Sequence, residues 1–192
     1  MNEKKRGPVF NLTLAAMFMA IGLVLPFFTG QIPQFGNMLL PMHIPVLLCG
    51  LICGWQYGLT VGVILPLLRY MLFGMPIPFP TGIAMAFELA TYGAVIGFMY
   101  SQSRWQCVVA LDRSMIIAMV AGRVVWGFAQ ILLLGISGNS FTWQMFIAGA
   151  LLNAIPGIIL QLILIPAVMV ALNRTGLVRF AWKEASLQKA GR

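Results

Sequence analysis

Six apolar stretches, separated by short segments rich in glycine, proline or basic residues, leave this chain few ways to fold. A helix that crosses a bilayer needs about 20 consecutive, mostly apolar residues. Stretches of that kind cover nearly all of the 192 residues. A water-soluble fold is excluded by the shortage of surface-forming side chains: 60% of residues are hydrophobic and only 8% charged, against roughly 25% charged in a soluble domain. The pattern predicts an all-α membrane protein, a six-transmembrane-helix bundle, in one membrane-embedded domain spanning residues 1–192. The helices are expected at residues 9–28, 42–53, 58–73, 81–100, 113–134 and 143–172. The second is shorter than a full span. Gly54-Trp55-Gln56-Tyr57-Gly58 reads as the turn that joins it to the third.

Charge placement orients the bundle. With six helices, one side of the membrane receives Lys4, Lys5, Arg6, Arg104, Arg113, Arg174, Arg179, Lys183, Lys189 and Arg192. The other receives the segments 30–41, 74–80 and 135–142, which hold no Lys or Arg. Basic residues resist translocation, so the charged side, with both the N and C termini, is expected to be cytoplasmic. A five-helix reading scatters basic residues over both sides. The net charge of +8 is thus an orientation signal, and no nucleic-acid partner is expected. The first apolar run lacks a small-residue cleavage site followed by a polar segment, so it is expected to remain as a helix. Cys49, Cys53 and Cys107 lie in or beside apolar runs and read as buried structural thiols, without disulfide or metal spacing.

Topology leaves three charges unexplained: Arg69, Glu88 and Arg123 fall inside helices. A charge at mid-membrane costs at least about 2.5–3.5 kcal/mol, so such residues pair with one another or line a polar cavity. Counting along each helix places all three in the half of the bundle near the uncharged loops, together with His43 at the start of helix two and Asn153 in helix six. Trp126 and Gln130 follow Arg123 on one helical face; Thr91 and Tyr92 follow Glu88; Gly157 and Gln161 follow Asn153. These faces line a small polar chamber opening outward. Glu88 is expected to pair with Arg69 or Arg123. One acid cannot neutralise two guanidinium groups, and the spare fork suits a carboxylate or phosphate.

The residues fall into an ordered set of motifs: Met42-His43-Ile44-Pro45-Val46-Leu47-Leu48-Cys49-Gly50, Leu65-Pro66-Leu67-Leu68-Arg69, Phe73-Gly74-Met75-Pro76, Glu88-Leu89-Ala90-Thr91-Tyr92-Gly93, Ala121-Gly122-Arg123 and Asn153-Ala154-Ile155-Pro156-Gly157. In this order they resemble the S component, the substrate-binding subunit, of an energy-coupling factor (ECF) vitamin transporter, over residues 14–172. The resemblance implies a six-helix subunit in the bacterial plasma membrane that captures a vitamin outside the cell. It also implies partners: a transmembrane coupling subunit and two cytosolic ATPases, on which ATP hydrolysis takes place, so the chain itself is not an enzyme and needs no cofactor. The loops after helices one, three and five then cover the site. Ala16-Met17-Phe18-Met19-Ala20 fits the small-residue pattern through which the family docks on the coupling subunit, and small residues four apart let another helix approach closely.

Fold alone does not fix the ligand. Two arginines and one glutamate leave the expected pocket positive by one, with Trp126 and Trp143 as stacking surfaces. That favours a small anionic or zwitterionic vitamin such as pantothenate, with a pyridoxine-like compound as the other candidate. A stand-alone secondary carrier or channel is the alternative, although no internal repeat is visible. An intramembrane serine protease is suggested only by Gly135-Ile136-Ser137-Gly138, and the sole histidine, His43, precedes that serine, in reverse of the rhomboid order.

Overall fold

A single residue, Gly54, separates the second helix from the third. Its φ of 102° and ψ of 166° lie where side chains with a Cβ are strained, so the chain stops being helical for one residue and resumes at Trp55. The computed structural model describes residues 7–28, 41–103, 107–136 and 154–174. Its elements are α1 (Pro8–Phe28), α2 (His43–Cys53), α3 (Trp55–Phe73), α4 (Ile83–Gln102), α5 (Val108–Ile136) and α6 (Ile155–Arg174).

Two further boundaries have a clear local cause. Pro8 opens α1, where a missing amide hydrogen costs nothing. Gly74 closes α3 in the left-handed conformation at φ 70°, and its N–H donates to the Tyr70 carbonyl at 2.8 Å. The prolines that follow lead into a kinked segment, Pro78–Gly82, in which Phe79 is extended at φ −118° and ψ 130°, and from there the chain enters α4. Among the described residues, three helix starts shift by two residues or more. Helix three starts at Trp55 rather than 58, α4 proper starts at Ile83, and α5 starts at Val108, ahead of Arg113. For helix six, residues 143–153 lie outside the described residues.

Five of these helices are long and apolar enough to cross a membrane, and α2, with 11 residues, is the short one among the described residues. Large apolar side chains cover the outside: Met71, Ile136, Val109, Leu132 and Phe128 all stand well exposed. In water such a surface aggregates; against lipid tails it carries no penalty. Four aliphatic hydroxyls are satisfied within their own helices, as an apolar surround favours: Thr13, Thr60, Thr91 and Ser114 each donate to the carbonyl four residues back.

The centre of the bundle is α4, which packs against α2, α3 and α5, while α1 covers α2 and α3, and α6 leans on α5 and α2. α1 and α3 run in the same direction. Phe27 and Phe73 meet edge-to-face at 4.8 Å at one end, and the Tyr57 hydroxyl reaches the Pro8 carbonyl at 3.4 Å at the other. Glycines allow the tight approach at the centre. A Cβ on Gly93 would strike the Gly58 carbonyl, and one on Gly58 would lie 2.7 Å from the Gly50 Cα. Gly58, which the sequence suggests as a turn residue, is therefore a packing residue inside α3. The three atoms nearest to a Cβ there are all backbone, from Gly50 and Gly93, so α2, α3 and α4 approach closely at this point. Cys49 and Cys53 are buried as expected, but Cys107 is exposed: it precedes the first turn of α5, outside the packed interior.

Candidate functional site

Four side chains converge from three helices where α2 begins. Glu88, on the second turn of α4, presents Oε1 to all of them. The Tyr92 hydroxyl, one turn further along the same helix, donates to it at 2.9 Å. Arg123 Nη1, from the middle of α5, stands 3.1 Å away. His43 Nε2, at the first residue of α2, stands 3.6 Å away, too long for a hydrogen bond but well within electrostatic reach. The His43 and Tyr92 rings lie 5.2 Å apart, tilted by 57°. The packing is tight: His43 is fully buried, Glu88 and Tyr92 are 2% exposed, and the Arg123 side chain is 12% exposed.

Local sequence explains the convergence. Glu88 and Tyr92 are four apart, hence stacked on one face of α4. Gly122, just before the arginine, has no side chain because the Tyr92 ring occupies that space; a Cβ there would collide with it. The cluster holds one acid and one permanent cation, so the ion pair is electrically closed, yet its hydrogen-bonding capacity is not. Arg123 Nε and Nη2 and both ring nitrogens of His43 are buried without a hydrogen-bond partner among the described residues. Native interiors leave few such groups unpaired, and each one calls for an explanation. On α6, the buried Gln161 likewise has an unpartnered Nε2.

The sequence left Glu88 a choice of two arginines; it takes Arg123. Arg69 lies elsewhere, half-buried near the end of α3, where Nη1 donates to the Met42 sulfur at 2.8 Å and Nε is buried without a partner among the described residues. Met42 and His43 are consecutive, so they bring Arg69 to the edge of the Glu88 cluster. Gln130 is buried two turns beyond Arg123, and Trp126 is half-buried on the same helix. Thr91 takes no part in the cluster, since its hydroxyl is spent on the Phe87 carbonyl. Asn153 and Trp143, like Ser137, lie outside the described residues. Two contributors escaped the sequence reading: Met42, the thioether beneath Arg69, and Gly122, the space for Tyr92. Both stand in the quoted motifs, but nothing in their residue type announces a role.

On the opposite flank, α1 and α3 enclose an open apolar groove of about 510 Å³. Ala16 and Ala20 form part of its wall with Leu12, Met19, Tyr57 and Ile64. The alanines are exposed, whereas Ala15 and Phe18 point into the core.

Comparison with known proteins agrees with this architecture. The sequence profile of the family described as "ECF transporter, substrate-specific component" matches residues 10–169. Neither the curated proteins nor the solved structures give a match. The profile spans α2, α3, α4 and α5 completely and most of α1 and α6, including every member of the Glu88 cluster, and the chain belongs to the family of substrate-specific components of ECF transporters.

Proposed function

We propose that this multi-pass subunit captures a small B-type vitamin, pantothenate or a pyridoxine-like compound, from outside the cell at the Glu88 cluster. The observation that carries the reading is the surplus of buried donors around one carboxylate oxygen. Arg123 keeps two nitrogens and His43 both ring nitrogens without a hydrogen-bond partner among the described residues. A purely structural ion pair would be better served by closing those groups off. Arg69, Tyr92, Trp126, Gln130 and Asn153 complete the proposed binding set, with Arg69 at its edge.

The uncharged end, where α2 and α4 begin, faces outward in this reading, and both termini with their basic residues face the cytoplasm of a bacterial cell. Delivery then depends on a transmembrane coupling subunit and two cytosolic ATPases. The α1–α3 groove supports that partnership, because Ala16 and Ala20 leave a shallow apolar wall on which another helix can seat closely. Mass spectrometry of small molecules released by denaturing the purified chain tests the reading. One vitamin in near-stoichiometric amount is expected; release of lipid and detergent alone counts against it.

A further inference from the structure

The two arginines near the site are not equivalent. Arg123 is neutralised by Glu88 at 3.1 Å. Arg69 has no ion pair among the described residues. Among the described residues its hydrogen-bond acceptor is the Met42 sulfur at 2.8 Å, a weak and uncharged acceptor, and its Nε is buried with no partner there.

The rest of the chain offers little relief. It has four acids. Glu88 already faces Arg123, and Asp112 sits on the first turns of α5, at the far end of the bundle from the last turns of α3. Glu3 and Glu184 stand among the basic residues of the terminal segments, outside the described residues. A half-buried guanidinium in an apolar bundle without a carboxylate is costly. Its planar fork is the side chain best suited to a compact anion.

We propose that Arg69 is the residue that selects the solute's charge, reading a carboxylate on it, while the Glu88–Arg123 pair holds the polar, uncharged part. This rests on the uptake reading given above, and it divides that reading's two candidates. A carboxylate-bearing vitamin satisfies Arg69; a neutral pyridine alcohol does not. The same anionic chemistry exists in a lipid headgroup phosphate at the membrane surface, so the experiment separates the two sources.

The full chain, in neutral detergent and in nanodiscs with and without phosphatidylglycerol, is titrated with two pairs of probes. These are pantothenate with its neutral alcohol pantothenol, and nicotinate with nicotinamide; pyridoxine and thiamine serve as ligands without a net negative charge. One acid is expected to bind about 10- to 100-fold more tightly than its neutral partner, the range of one charge-assisted contact. In Arg69→Gln that ratio falls to near one, while Arg69→Lys, which keeps the charge but loses the fork, retains part of it. Size-exclusion profiles establish that both variants are folded.

An unchanged ratio in Arg69→Gln, with thermal stability now differing in its response to phosphatidylglycerol, identifies a lipid phosphate as the partner and overturns the proposal. So does an equal loss of acid and neutral binding, which marks a structural role. Binding of pyridoxine or thiamine in preference to either acid overturns the charge assignment and leaves the uptake reading standing. Binding of none of the probes counts against the uptake reading itself and removes this proposal with it.

Discussion

Arg123 and Glu88 form a buried ion pair at 3.1 Å between α5 and α4, on the same oxygen that accepts the Tyr92 hydroxyl. Removing one member leaves the other charge stranded, which for buried pairs costs about 3–5 kcal/mol; replacing both with apolar residues of similar volume is often neutral or stabilising. Glu88→Gln is therefore expected to lower the thermal unfolding midpoint in detergent clearly. Glu88→Leu combined with Arg123→Leu recovers most of the loss and still binds no vitamin. A double variant that unfolds as early as the single one would contradict the closed ion pair.

The glycine contacts predict a sharp positional contrast. At Gly93 any side chain meets the Gly58 carbonyl, and backbone cannot step aside as a flexible side chain does, whereas Gly7 faces open space. Gly93→Ala is expected to cost about 1–3 kcal/mol through overpacking and to reduce the yield of monodisperse protein. Gly7→Ala changes neither. Equal behaviour of the two in fluorescence-detected size exclusion would refute the close approach of α3 and α4.

Orientation can be read from a native residue. Cys107 is exposed while Cys49 and Cys53 are buried, so a maleimide label reports chiefly on the segment between α4 and α5. With that segment cytoplasmic, a membrane-impermeant maleimide leaves Cys107 unmodified in intact cells and labels it after permeabilisation. Rapid labelling in intact cells would invert the topology.

The docking role proposed for the α1–α3 groove can be tested apart from capture. Bulky side chains at its alanine wall, as in Ala16→Leu or Ala20→Trp, fill the groove without touching the Glu88 cluster on the other flank. Vitamin uptake by cells should fall at least about tenfold while the purified variants bind normally. Binding that falls in parallel with uptake would show that these alanines support the fold rather than a partner.

The gross architecture was legible because apolar length and basic loops are one-dimensional signals. Six helices and the positions of Glu88, Arg69 and Arg123 within them can be read by counting. The partner of Glu88 could not, since helical periodicity gives a face but not the rotation that aims it at a neighbour. Both arginines satisfied the spacing, and only packing decided for Arg123. Gly58 misled for a related reason: paired glycines signal a turn as readily as a helix contact, and here Gly54 is the break while Gly58 is the contact. Cys107 misled because its neighbours are apolar although it lies before the first turn of α5. Met42 was invisible as a partner because a thioether seldom receives a guanidinium.

The central claim, that the donors around Glu88 exist to hold a vitamin, is tested most directly by titrating the purified chain and Arg123→Ala with the water-soluble B vitamins. The variant deletes the unpaired nitrogens Nε and Nη2, and a thermal-unfolding scan identifies the fraction that remains folded. Submicromolar binding of one vitamin to the native chain, weakened at least about 100-fold in folded Arg123→Ala, is the predicted result. Binding of equal strength in the two proteins would contradict it.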